Sequence, residues 1–172
     1  MRAALEKAAA QGKRFSVCVT ESRPVCEGVA LARELAAAGI PVRLFADAAA
    51  GAIASEARMV LLGADAVSQD GVINKIGTWL LALAARERAV AVYGLLTSDK
   101  FVPADYEMPA EPLRDPAEIV AAPPGVQVIN FYFEATPLDL FQGLVTEEGV
   151  LEPDEVRKRL AMLRLPPELR AG

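Results

Sequence analysis

Residues 59–65 read Met59-Val60-Leu61-Leu62-Gly63-Ala64-Asp65: a short apolar run, a small-residue turn and a carboxylate at its tip. Four apolar residues stopped by glycine make a buried strand, since a helix needs ten or more residues to form its pattern. Moving outward from this run, helical periods alternate with runs of the same kind. Upstream, Ala48 to Ala57 reads as a short helix and Val42 to Phe45 as a strand stopped by Asp47. Before them lie a helix from Cys26 to Ala38, with Gly39 suited to its end, and a strand from Phe15 to Thr20. The first residues, Met1 to Gln11, form an alanine-rich helix closed by Gly12. Downstream, Asn74 to Arg88 is predicted as a helix that is apolar nearly all round, followed by a strand from Ala89 to Leu96.

Short apolar strands separated by helices make βα units and a parallel sheet, and strands apolar on both sides need helices over both faces. The expected fold is therefore α/β, an open doubly wound parallel sheet in a single domain over residues 1–172. After Lys100 the pattern changes. Residues 103–124 hold six of the 12 prolines, which excludes regular helix or central strand and predicts a long loop or arm. Strand character returns at Val126 to Phe133, and Pro153 to Leu163 reads as a last helix with proline in its first turn.

Composition narrows the chemistry. The 172 residues are 53% hydrophobic and include no histidine, so no Ser-His-Asp or Cys-His system and no His-containing zinc site can form. The net charge of −5 argues against broad nucleic-acid binding. Two cysteines, Cys18 and Cys26, are too few for a disulfide scaffold and read as reduced thiols of a cytoplasmic protein. The apolar run from Trp79 is broken by Arg86-Glu87-Arg88, so no membrane span is expected, and the N-terminus lacks a signal-peptide layout.

In open α/β sheets ligands bind beyond the carboxyl ends of the strands. The conspicuous polar residues fall there: Glu21-Ser22-Arg23-Pro24, Asp47, Asp65 and Ser98-Asp99-Lys100, with Asn74 and Lys75 expected to open the following helix. Arg23, Lys75 and Lys100 are three cations suited to a phosphate or bisphosphate, aided by helix N-termini. Asp65, at a strand tip, is placed for general acid/base work. No metal and no cofactor is implied. Each residue also has a structural reading. Asp65 could form a turn, Asn74 could cap a helix, and Arg23 could pair with Glu21 or Glu27. Lys75 in a first helical turn would oppose the dipole, which favours a ligand role. Cys18 and Trp79 read as core or, for Trp79, interface, and Cys26 as an inert thiol. Gly71 reads as a turn former and Gly77 as a close-packing site, and Glu147-Glu148 as a solvated turn.

Taken in order, these residues resemble a known superfamily. It comprises the regulatory subunits of translation initiation factor 2B and the aldose-phosphate isomerases of ribose 1,5-bisphosphate and 5-methylthioribose 1-phosphate. The matching strings are Glu21 to Pro24, Asp47 to Gly51, Gly63-Ala64-Asp65-Ala66-Val67, Asp70 to Thr78 with its Asn74-Lys75-Ile76-Gly77-Thr78, Lys100 to Pro103, Thr136-Pro137-Leu138-Asp139, and Gly143 to Leu151. The resemblance implies a Rossmann-like domain that binds sugar phosphate at its strand ends and packs as a homodimer. It implies a catalytic role for Asp65 and substrate contacts for Asn74, Lys75, Lys100 and Arg23. Regulatory subunits often carry Glu where this chain has Asp65, which leans toward the isomerase branch. The family's N-terminal helical domain, which bears the isomerases' catalytic cysteine, precedes the first helix seen here, and neither Cys18 nor Cys26 occupies that position. The expectation is thus a chain without that domain, noncatalytic alone, acting as a sugar-phosphate- or nucleotide-binding or scaffold protein. The alternatives are an active isomerase using Asp65 and a subunit completed by a separate helical partner.

Overall fold

The computed structural model describes residues 1–166. The strands are β1 (Val17–Thr20), β2 (Val42–Phe45), β3 (Met59–Gly63), β4 (Ala66–Ser68), β5 (Gly71–Lys75), β6 (Ala91–Leu95), β7 (Phe133–Thr136), β8 (Gly143–Thr146) and β9 (Gly149–Leu151). The helices are α1 (Arg2–Ala10), α2 (Glu27–Ala37), α3 (Ala50–Glu56), α4 (Thr78–Glu87) and α5 (Pro153–Met162). The architecture is mixed α/β, with parallel strands and packed helices, as the alternation of periods predicts. β1 pairs with β2 in parallel; β3, β6 and β8 form a second parallel set, closed by antiparallel β9. α2 packs on β1 and β2, α4 on β3, β6 and β7, and α5 on β8.

Two expectations need correction. Asn74 and Lys75 do not open a helix; they end β5, which pairs antiparallel with β4 and β7 in a three-stranded sheet. The strand placed at 126–133 lies instead at Phe133–Thr136. The Pro-rich segment 103–124 contains no strand and only a single short 3₁₀ turn, Pro116–Glu118.

Alternation along the strands builds the main core. Val60 and Leu62 of β3, Val92 of β6 and Leu144 of β8 are buried together with Val67 and Val72 of the antiparallel hairpin. The face that α4 turns inward consists of Thr78, Ala82 and Ala85, spaced for one helical stripe, while Trp79 and Leu80 stay exposed. Of the two readings of Trp79, core is overturned: the helix meets the core through Thr78, Ala82 and Ala85, with Leu81 and Leu83 partly buried beside them. A second, smaller apolar cluster of Val19, Ala32, Leu35 and Ile40 lies between α2 and the β1–β2 pair.

Gly71 follows the β4–β5 turn at Gln69-Asp70, as its turn reading expects, but it also takes the close-packing role expected of Gly77. A Cβ at Gly71 (φ +133°) would sit 2.1 Å from the Thr136 carbonyl oxygen, so this is where β5 and β7 demand close approach. Gly77 (φ +96°) meets nothing; it is the left-handed residue that turns the chain from β5 into α4. α5 begins as expected, with Pro153 in its first turn and a reciprocal capping box between Glu152 and Glu155.

Candidate functional site

The carboxyl ends of β1 and β2 are tied together by one carboxylate. Asp47 accepts the backbone N–H groups of Ser22 and Arg23, each at 2.8 Å. This fixes the Glu-Ser-Arg-Pro loop, so Asp47 serves the loop's shape. Arg23 pairs with neither Glu21 nor Glu27. Its guanidinium donates to the Ile119 carbonyl at 3.1 Å, reaching into the Pro-rich segment.

Backbone register gathers three of the expected site residues. Ala66 is opposite Ile73, and the Asp65 N–H donates to the Ile73 carbonyl at 2.9 Å, which sets exposed Asp65 across from Asn74. A parallel bridge between Val67 and Phe101, with the Val102 N–H on the Val67 carbonyl at 2.9 Å, lays Lys100 alongside Ala66. Asp65, Asn74 and Lys100 thus share one rim at the end of β3. The Asn74 amide donates to Thr78 Oγ1 at 2.8 Å, and its Oδ1 would be 3.4 Å from a Cβ on Gly63. That is an ordinary van der Waals distance, so the Asn74 amide lies directly against the end of β3. Among the described residues, the side chains of Asp65, exposed, and Lys100, half-buried, have no hydrogen-bond or ionic partner.

The short turn carrying Lys100 is held from below. Glu147, in the β8–β9 turn, accepts the Ser98 N–H at 3.0 Å and the Ser98 hydroxyl. These bonds, the hydroxyl's first, hold the Glu147 carboxyl below the usual carboxylate range. The Glu147-Glu148 turn is exposed, as its sequence suggests, yet it also supports the rim.

Successive residues of a strand point to opposite faces, so Lys75 leaves Asn74 behind. Its ammonium is 2.9 Å from Glu27 Oε1 and 4.3 Å from the centroid of the Tyr132 ring. Nearby, a hollow of about 210 Å³ is lined by Arg23, Pro24, Ile76, Ile119 and Phe131. Arg23 lines this hollow, and Lys75 stands one residue before its Ile76, on the opposite face of β5 from Asn74.

The start of α4 is closed. Glu134 of β7 accepts both the Gly77 and Trp79 N–H groups, at 2.8 and 2.9 Å. A carboxylate from 57 residues away fills the place where a phosphate would otherwise meet the helix N-terminus. The expectation that helix N-termini help hold the phosphate fails at α4. Glu134 and Tyr132 are not signalled as site residues in the sequence, and Glu27, expected as a partner for Arg23, pairs with Lys75 instead. One signal was available: in 131–136 the apolar Phe131, Phe133 and Ala135 alternate with Tyr132, Glu134 and Thr136, marking a strand with a polar face.

Neither thiol reaches the rim. Cys18, in mid-β1, accepts a bond from Arg43 at 3.2 Å, and Cys26 donates to the Pro24 carbonyl at 3.7 Å. No helix among the described residues is long and apolar enough to cross a membrane.

Known proteins are similar to this chain in sequence and, where solved, in fold. The chain is 39% identical over 156 residues to a methylthioribose-1-phosphate isomerase of Maridesulfovibrio salexigens, covering 83% of this chain and 45% of the relative. It is 38% identical over 152 residues to a ribose 1,5-bisphosphate isomerase of Pyrococcus furiosus, covering 83% and 47%. The crystal structure of the Pyrococcus horikoshii OT3 translation initiation factor eIF-2B superposes with a TM-score of 0.76 at 37% identity, covering 87% of this chain and 53% of that one. The chain spans about half the length of these relatives. The Initiation factor 2 subunit family matches residues 1–153, and the chain belongs to that family.

Proposed function

We propose that this chain carries the sugar-phosphate half of an aldose-ketose isomerase acting on a 1-phosphorylated ribose. The reading rests on one observation: backbone register gathers a free carboxylate, an amide and a free cation, Asp65, Asn74 and Lys100, on one rim beyond β3. The isomerase relatives support it. Asp65 exchanges a proton with the sugar, and Asn74 and Lys100 orient it. Arg23 and Lys75 supply positive charge for phosphate. Opening the ring and moving hydrogen from C2 to C1 gives a ketose of the same composition, so no external oxidant or reductant is needed. The protein works in the cytoplasm as a homodimer, and the exposed Trp79 and Leu80 on α4 offer apolar area for a second copy. An NMR time course with ribose 1,5-bisphosphate tests the chemistry. Ketose should accumulate, and Asp65→Asn should slow it by about 10²-fold or more; turnover unaltered in that variant refutes the assignment.

A second reading has its own support. Acid/base isomerisation needs two groups about the sugar, and both thiols are engaged away from Asp65. On this reading the chain binds sugar phosphate without turning it over. Calorimetric binding of ribose 1,5-bisphosphate with no ketose formed would establish it.

A further inference from the structure

Lys75 is held in an unusual way. Its side chain is only 14% exposed, whereas its ionic partner Glu27 is 59% exposed. An ion pair with one end in water is weak and readily exchanged. The aromatic ring that also meets the ammonium is anchored at both its hydroxyl and its backbone. Tyr132 donates its hydroxyl to Glu118 at 2.5 Å and its N–H to Glu111 at 3.0 Å, and its carbonyl accepts the Ile76 N–H at 2.8 Å. The Arg114 guanidinium also lies over the ring, 4.7 Å from the centroid.

Glu111, Arg114 and Glu118 all belong to the Pro-rich segment. That segment is itself pinned by buried Asn130, whose amide donates to the Asp115 carbonyl and to Glu118, both at 2.8 Å. The Asn130 carbonyl accepts the Arg114 N–H at 2.9 Å. The arm therefore closes around one aromatic ring, and the ring faces one lysine.

We propose that Tyr132 is a positioning residue for Lys75, through which the Pro-rich arm presents that ammonium to a phosphate group. This rests on the reading that Lys75 meets the ligand's phosphate. An incoming phosphate replaces Glu27 at the ammonium, while the ring stays and keeps the cation in place. Tyr132 touches no phosphate. It acts by removing the freedom that Lys75 would otherwise lose on binding, and by cation–π attraction that needs no competing anion.

The experiment uses the full chain and ribose 1,5-bisphosphate, with affinity read by calorimetry and the Lys75 ε-methylene protons by NMR. In the wild type, those protons should be shifted upfield by the ring current. Tyr132→Leu should abolish that shift and weaken binding by about 3- to 10-fold. Tyr132→Phe, which keeps the ring and loses only the Glu118 bond, should retain the shift and most of the affinity. A merely structural role for Tyr132 would not couple the lysine signal to affinity in this way. Lys75→Met should weaken binding at least as much as Tyr132→Leu. Unchanged affinity in Lys75→Met overturns the phosphate-contact reading and this proposal with it. Loss in Lys75→Met with none in Tyr132→Leu, or a wild-type lysine signal without the upfield shift, overturns the role of Tyr132 alone.

Discussion

Replacing Glu134 by alanine removes the acceptor shared by the Gly77 and Trp79 N–H groups at the start of α4. Loss of a side-chain helix cap costs about 1–2 kcal/mol, a range that includes the attraction of a carboxylate for the positive end of the helix. Trp79 is 42% exposed, so water can reach its freed N–H, and this keeps the cost within that range. For a chain of this size each kcal/mol lowers the melting temperature by about 2–4 °C, so Glu134→Ala should melt about 2–8 °C lower. Glu134→Gln keeps an acceptor oxygen and loses only charge, so its loss should be the smaller part, about 0.3–1 kcal/mol. Thermal unfolding by circular dichroism gives the ranking wild type, then Gln, then Ala. Amide exchange localises it, because the Gly77 and Trp79 amides should exchange faster in the alanine variant. If Glu134→Ala melts within about 1 °C of wild type and those two amides are unaltered, the cap is not what starts this helix.

Other outcomes follow from the same contacts. Gly28→Ala places a Cβ 1.8 Å from the Thr20 carbonyl oxygen, forcing α2 off β1; urea unfolding should show a loss of about 1–3 kcal/mol or more, and a near-neutral result would contradict the packing. Leu144, 1% exposed in the main core, should cost about 2–5 kcal/mol as Leu144→Ala, read from the urea midpoint. Glu147 is held below the usual carboxylate range, chiefly by the Ser98 hydroxyl. Its contribution is therefore complete above the ordinary glutamate value and lost as pH falls through the lowered folded value. NMR titration should show Ser98 amide protection fading over that acid range, and Ser98→Ala should bring the Glu147 titration back up. Glu27→Gln removes the carboxylate that competes for Lys75 and should tighten ribose 1,5-bisphosphate binding by about two- to fivefold in calorimetry; weaker binding would mean Glu27 helps rather than competes.

What the sequence revealed and what it hid divide along a physical line. β1, β2, β3 and β6 are short, largely apolar runs, interrupted in β2 by Arg43, whose identity depends on their own residues, and they lie within a residue or two of their predicted limits. The polar residues beyond them follow from topology alone. The Asn74-Lys75 segment misled because asparagine ahead of an apolar helix is a local N-cap signal. The signal is local and the true cap is not, since Glu134 arrives through the antiparallel pairing of β5 with β7. Once Glu134 satisfies the helix, residues 71–75 are free to remain extended. The Pro-rich segment was legible as irregular, but its partners were not. Nothing in the local pattern tells that Asn130 and Tyr132 will hold Glu118, because those bonds have no period.

The division of the strands into separate ladders has a consequence for motion. Among the described residues, no backbone ladder joins β1–β2 to β3–β6–β8–β9, and each set sits over its own apolar cluster. Polar links from the β1–β2 unit to the rest of the chain include the Glu27–Lys75 pair, which reaches β5, and the Arg23 bond to Ile119, which reaches the Pro-rich segment, both made by side chains with an exposed partner. Opening the β1–β2 unit therefore breaks no strand-to-strand hydrogen bond with the rest. The unit can exchange its amides with solvent as a subglobal event, below the free energy of complete unfolding. A phosphate gripped by Arg23 on one side and Lys75 on the other would act as a rivet between the two, so the ligand would stabilise the seam more than the interior.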